Sequence, residues 1–170
     1  MSEIITQPHP YPIQLDLLYA ISRTTTRNLE WKRALDEIAV LVRKILIFDN
    51  LVVYRTDNSQ QSFEVAYARA AGRGRSSEAD ATWGDMVAHQ ILQTHQTMLT
   101  EPPALTSTDR LDRPYTLGIP LLVGEQVLGV IVFVRFGGPI FTEENVELAE
   151  FIARQITYLV PRMTPFITPT

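Results

Sequence analysis

Cysteine is missing altogether from the 170 residues of this chain, and that absence removes several chemistries at once. There can be no disulfide framework, no thiolate nucleophile, no thiol redox switch and no thioether anchor for a chromophore. Long apolar runs are missing too. No stretch approaches the roughly 20 residues needed to cross a bilayer, and the opening MSEIITQPHPYP has neither the charged nor the apolar region of a signal peptide. Positive charge is also in short supply: 15 Lys and Arg stand against 19 Asp and Glu, a formal charge of −4 with a pI near 5.4. Neutralising phosphates needs a concentrated basic face, so this balance argues against nucleic-acid binding. The expectation is a cytoplasmic protein with neither nucleic acid nor membrane as a partner.

What is present has the balance of a globular chain, 45% hydrophobic and 20% charged, far from the profile of disorder. The length suits one domain with one core. Pro8, Pro10 and Pro12 lack amide donors and read residues 1–12 as a leader or linker. A single domain is expected over 13–160. The proline-bearing PRMTPFITPT, 161–170, reads as a tail or the start of a linker.

Periodicity places the elements. Leu17, Leu18 and Ile21 suggest a short amphipathic helix ending near Arg27. Asn28 offers an N-cap to a stronger helix over 29–46, where Ala34, Leu35, Ile38, Leu41, Val42 and Ile45 keep the 3, 4 rhythm of one face. Residues 50–56 and 62–70 are rich in β-branched and aromatic side chains and flank Asp57, Asn58 and Ser59, a hairpin pattern. An exposed connection, 72–80, leads to a third helix over 82–95. A short strand at 98–100 precedes a proline-containing loop, and strands 115–123 and 126–135 are joined at Gly124 and Glu125. The second of these is apolar at nearly every position, which requires cover on both faces of the sheet. Phe141, Thr142, Glu143, Glu144 and Val146 mark the start of a closing helix, and Pro161 its end. Connections this short between successive strands demand a mainly antiparallel sheet in an α/β (α+β) domain with helices on both faces.

From about Leu15 to Val160 these residues resemble the GAF family of sensory domains. The most specific stretch is GIPLLVGEQVLGVIVFVR, Gly118 to Arg135, with an apolar residue before Pro-Leu, a tight turn and Leu-Gly-Val entering a hydrophobic strand. Pro120 sits where a strand can spare a donor, and Gly129 is expected to leave room for a helix to approach. The resemblance implies a central antiparallel six-stranded sheet. The first, second and last helices would lie on one face, and the middle helix with its loops would cover a small-molecule pocket on the other. It also implies a regulatory input to an output module such as a kinase or transcription factor, and a homodimer formed through the terminal helices.

Departures from known subfamilies narrow the chemistry. TWGDMVAHQILQTHQ holds no cysteine to attach a bilin, and reduction of free methionine sulfoxide by cysteine chemistry is equally impossible. The Asn-Lys, Phe and Asp-Glu signature of cyclic-nucleotide binders has no counterpart here. No cofactor is expected, and any ligand is noncovalent. His89 and His95 are turned about 240° from each other on one helix, so they do not share a metal. Either alone could ligate a haem or bond a ligand, or be a surface or satisfied core residue; His9 carries no signal. Asp109 and Asp112, interleaved with Arg110 and Arg113, read as a solvated loop rather than a paired-carboxylate site. Arg69, Arg73 and Arg75 read as part of a solubilising connection.

Tyr67, Trp83, Met86, His89 and Tyr115 remain as ligand-pocket candidates, since aromatic walls with a polar tip suit a planar or amphipathic ligand. The alternative is that they fill a second core layer. Leu17, Leu18, Ile21, Phe151 and Tyr158 are candidates for an intersubunit bundle. No nucleophile, base and orienting group cluster, so no enzyme is expected. The two readings carried forward are a sensor that binds a small molecule and relays through its terminal helices, and a ligand-free dimerisation module of the same fold.

Overall fold

Apolar periodicity of two kinds sorts this chain into layers, and the computed structural model, which describes residues 11–27, 30–57, 62–70, 82–103 and 108–163, shows the result. Helices α1 (Tyr11–Thr26), α2 (Trp31–Val42), α3 (Thr82–Thr94) and α4 (Glu143–Thr157) surround strands β1 (Asn50–Thr56), β2 (Phe63–Ala70), β3 (Met98–Thr100), β4 (Pro114–Val123) and β5 (Gln126–Phe136). The order across the sheet is β2-β1-β5-β4-β3, and every neighbouring pair is antiparallel. No helix among the described residues is long and apolar enough to cross a membrane.

Alternation along the strands feeds two cores. Leu51 and Val53 of β1, Leu117 and Ile119 of β4, and Ile131 and Phe133 of β5 face a layer built by α1, α2 and α4. Val52 and Tyr54 of β1 and Val130 and Val132 of β5 face α3. Central β5 is buried at nearly every residue, as a strand covered on both sides must be. On α2 the expected stripe is realised by Ala34, Leu35, Ile38 and Val42, each large member contributing roughly 1.5–3 kcal/mol by its burial.

Local signals set most element ends. The hydroxyl of Thr142 accepts from the Asn145 amide at 3.1 Å, and Asn145 Oδ1 accepts from the Thr142 amide at 2.9 Å, a reciprocal cap that starts α4. Gly124 takes φ +61 in the β4–β5 turn, a conformation costly for any residue with a Cβ.

Four expectations are corrected. Helix α2 is capped by Glu30, whose Oε1 accepts from the Arg33 amide at 3.3 Å, and Asn28 lies outside the described residues. The sheet has five strands among the described residues instead of six; β3 is three residues long, because Pro102 and Pro103 follow Glu101 and have no amide with which to extend the ladder. A Cβ on Gly129 would meet the carbonyl oxygen of Tyr54 on β1, so this glycine admits a neighbouring strand, not a helix. Met163, in the stretch expected to be a tail, is buried in the core, and its carbonyl accepts from Arg55 Nη1.

Candidate functional site

Glycine decides how closely α3 approaches the sheet. A Cβ on Gly118 would lie 2.5 Å from Val87 and 2.7 Å from Ile91, and one on Gly84 would lie 2.8 Å from the Tyr54 hydroxyl. Helix and sheet are therefore in direct contact along the body of α3. Tyr54, fully buried, donates to Asp85 Oδ1 at 2.7 Å and fastens the first turn of the helix. Burial first, then the hydrogen bond and charge of Asp85, push the Tyr54 hydroxyl well above the ordinary phenol range.

The predicted pocket residues are not brought together. Trp83, half-buried, meets Phe136 edge-on at 6.3 Å at one end of α3. His89 is exposed and meets Phe63 at 5.6 Å over the β1–β2 side, while Phe63 in turn meets Tyr54 at 4.8 Å. Met86 is 71% exposed. Tyr67 lies in the opposite core layer, where its hydroxyl donates to Asp36 Oδ1 of α2 at 2.6 Å and Arg69 pairs with the same oxygen at 3.0 Å. Burial and the Asp36 hydrogen bond raise its hydroxyl above the phenol range despite the opposing Arg69. Tyr115 is half-buried, alternates with Leu117 and Ile119 toward α4, and packs close to Gly138.

Sequence reasoning passed over a different constellation on the α3 side. Asn50, Val134, Thr116 and Thr100 form one row across β1, β5, β4 and β3. Alternation puts Asn50 with Val52 and Tyr54, and Thr116 with Gly118, on the face that carries α3. Asn50 is 5% exposed and Thr116 only 2%. The Thr100 and Thr116 hydroxyls bond to each other, whereas Asn50 Oδ1 is buried with no hydrogen-bond partner. Leaving such an acceptor unpaired costs about 1–3 kcal/mol. Phe136, two residues beyond Val134 on β5, brings the Trp83–Phe136 pair beside this row. The signal available in the sequence was an Asn opening a strand whose next four residues, 51–54, are apolar or aromatic.

Behind the row lies the start of α4. Arg135, between Val134 and Phe136, points to the opposite face and is 8% exposed. It donates to the carbonyls of Ile47 at 2.7 Å and Pro139 at 3.3 Å and to Asn145 Oδ1 at 3.3 Å, and it stacks over Phe141 at 4.1 Å. Asp49, next to Asn50, accepts from the Phe136 amide at 2.8 Å.

The other chemistry-bearing residues have ordinary surroundings. Asp109 caps a 3-10 turn, Arg110–Asp112, by accepting from the Leu111 amide at 3.0 Å. Arg73 and Arg75 lie outside the described residues. No three His, Asp or Glu side chains among the described residues gather to hold a metal.

Among the bundle candidates, Ile21 is fully buried in its own domain, Leu18 and Phe151 pack partly against that core, Leu17 is half-buried, and Tyr158 is 73% exposed.

The GAF domain model matches residues 30–159. Among solved structures, the GAF domain of an Acinetobacter phosphoenolpyruvate-protein phosphotransferase is similar at 16% identity, over 88% of this chain and 93% of that one, with a TM-score of 0.66. The corresponding domain from Coxiella burnetii gives 16%, the same coverages and 0.65. The free methionine-R-sulfoxide reductase of Neisseria meningitidis gives 14%, 92% and 93%, and 0.65. No curated protein matches the chain.

Proposed function

The chain belongs to the GAF family, whose members are sensory and regulatory modules of signalling proteins, and from that premise we propose that it is a noncovalent small-molecule sensor whose ligand sits on the row Asn50–Thr116–Thr100. The observation that carries this reading is the buried, unpartnered Asn50 Oδ1. A ligand that donates one hydrogen bond to Asn50, exchanges another with Thr116 and lies against Trp83 and Phe136 removes the cost of that orphan. Nothing in this scheme requires covalent attachment or turnover, so the domain works by binding and not as an enzyme. Its setting is the cytoplasm.

Relay follows from the back-to-back arrangement of β5. A ligand that shifts Val134 and Phe136 shifts Arg135 between them, and Arg135 holds Asn145 in the cap of α4 as well as the carbonyl of Ile47. The terminal helices then carry the change to a partner copy or to an output module such as a kinase or transcription factor. A second reading, a ligand-free dimerisation module, is favoured by one observation: Leu15 and Tyr19, one turn apart on α1, are both exposed, as is Tyr158.

Native mass spectrometry of protein from its own host, alongside Asn50→Leu, separates the two. The sensor reading expects a bound small molecule in the parent that is absent from Asn50→Leu. A ligand-free parent, with an Asn50→Leu variant that is more stable and regulates normally, overturns it in favour of the dimerisation module.

A further inference from the structure

A cleft of about 610 Å³ opens between α4, the middle of β4 and the connection from α3 to β3, against α4 on the sheet face opposite to that of the polar row. Its floor is apolar, made by Ile119, Pro120 and Leu122. One wall is a stripe of α4 that carries Glu150, Ala153, Arg154 and Thr157, and the other is His95, Gln96 and Thr97.

Glu150 and Arg154 stand four residues apart with the acid first, the order that favours an ion pair along a helix. At the same spacing on α2, Arg33 and Glu37 do pair, at 3.7 Å. No such pair forms between Glu150 and Arg154 among the described residues. Instead Glu150 Oε2 accepts from the Thr97 hydroxyl across the cleft at 2.7 Å. The result is a carboxylate and a guanidinium of opposite charge, one helical turn apart, both lining the same cavity and not neutralising each other. His95 adds a second feature. It ends α3 at φ +60, a left-handed conformation for which glycine is the default, with its amide donating to the Ile91 carbonyl at 2.7 Å. That left-handed cap turns the chain from α3 into the wall, so that His95 lines the cleft beside Gln96 and Thr97.

We propose that this cleft is a second small-molecule site, independent of the polar row, and that its ligand is an α-amino acid with an apolar side chain. The ligand carboxylate pairs with Arg154, a fork that suits carboxylates, and the facing wall of His95 and Gln96 offers further polar groups. The ligand ammonium takes the Glu150 oxygen not used by Thr97. Both charges of such a molecule branch from one carbon, matching two protein charges whose Cβ atoms are about 5–6 Å apart on one helix face. Its side chain lies on Ile119 and Leu122. Because one wall is α4, occupancy reaches the terminal helix without passing through the sheet.

The test is titration of the ¹⁵N-labelled full chain with three probes: L-leucine, N-acetyl-L-leucine, which lacks the ammonium, and L-leucinamide, which lacks the carboxylate. Leucine should give saturable shifts at 95–97 and 150–157, and each derivative should bind at least about tenfold more weakly. Arg154→Ala should abolish the response. Glu150→Gln, which can still accept from Thr97, should weaken leucine while leaving N-acetyl-leucine unchanged. Asn50→Leu should leave all of these shifts in place, which separates this site from the sensor site. Equal binding of leucine and either derivative, shifts that survive Arg154→Ala, or no saturable response to leucine each overturns the proposal.

Discussion

The hydroxyl of Tyr54 donates a 2.7 Å hydrogen bond to Asp85 from a fully buried ring, so the inner surface of the sheet holds the first turn of α3. Replacing Tyr54 by Phe keeps the ring and its contact with Phe63 but removes this tie. Asp85 is exposed and rehydrates, so the cost should be modest, about 1 kcal/mol. Hydrogen exchange should locate the effect: amides in the first two turns of α3 should lose protection, and those of β5 should not.

The same group makes stability depend on alkaline pH. Both Tyr54 and Tyr67 are held above the ordinary phenol range in the folded protein, mainly by burial and secondly by a carboxylate partner. Unfolded, they ionise near pH 10. Below that pH both states carry the protons and the full stability is present; above it the unfolded chain releases protons that the folded one keeps, so stability falls as pH rises. Each tyrosine contributes a slope of up to about 1.4 kcal/mol per pH unit. Urea titrations between about pH 8 and 11 should show the decline, and it should flatten in Tyr54→Phe/Tyr67→Phe.

Two glycines of β4 and β5 should respond differently to alanine. At Gly118 the added carbon meets the tips of Val87 and Ile91, which can turn aside as α3 lifts slightly. At Gly129 it meets the backbone of β1 at Tyr54, where nothing can turn aside without breaking the ladder. Gly118→Ala should cost about 1–3 kcal/mol, and Gly129→Ala more than that. Thermal denaturation of the two variants orders them; the reverse order would mean that the α3 contact is the stiffer one.

These glycines also show where sequence reading stops. Among the described residues, periodicity located the four helices and five strands to within a few residues, because burial repeats at 3.6 on a helix and at 2 on a strand whatever the partner. It could not say which element crosses Gly129, since a missing side chain looks the same beside a helix or a strand. The site was less legible for the same reason. Trp83, Met86 and His89 share one helix, yet they leave it toward Phe136, solvent and Phe63 respectively. Tyr67 follows a shift in register between Val53 and Tyr54 that delivers it to the α2 side. The row Asn50, Thr116 and Thr100 joins two successive strands to β1 from far earlier in the chain, and only strand pairing aligns it.

The terminal helix α1 supplies a last contrast, between side chains that build the domain and side chains left for a partner. Ile21 is wholly buried in the layer with α2 and α4, and Ser22 beside it donates to Gln155 of α4 at 3.0 Å. Ile21→Ala should therefore cost about 2–4 kcal/mol by the cavity it leaves, at any protein concentration. Leu15 is 61% exposed and Tyr158 is 73% exposed, so Leu15→Glu and Tyr158→Gln should each change the unfolding free energy by less than about 0.5 kcal/mol. If the chain self-associates through its terminal helices, these same two substitutions should weaken the dimer in sedimentation equilibrium while Ile21→Ala lowers the melting temperature of monomer and dimer alike. An Ile21→Ala protein of unchanged stability would show that α1 contributes nothing to the core, and the route from Arg135 through α4 to the first helix would have no mechanical basis.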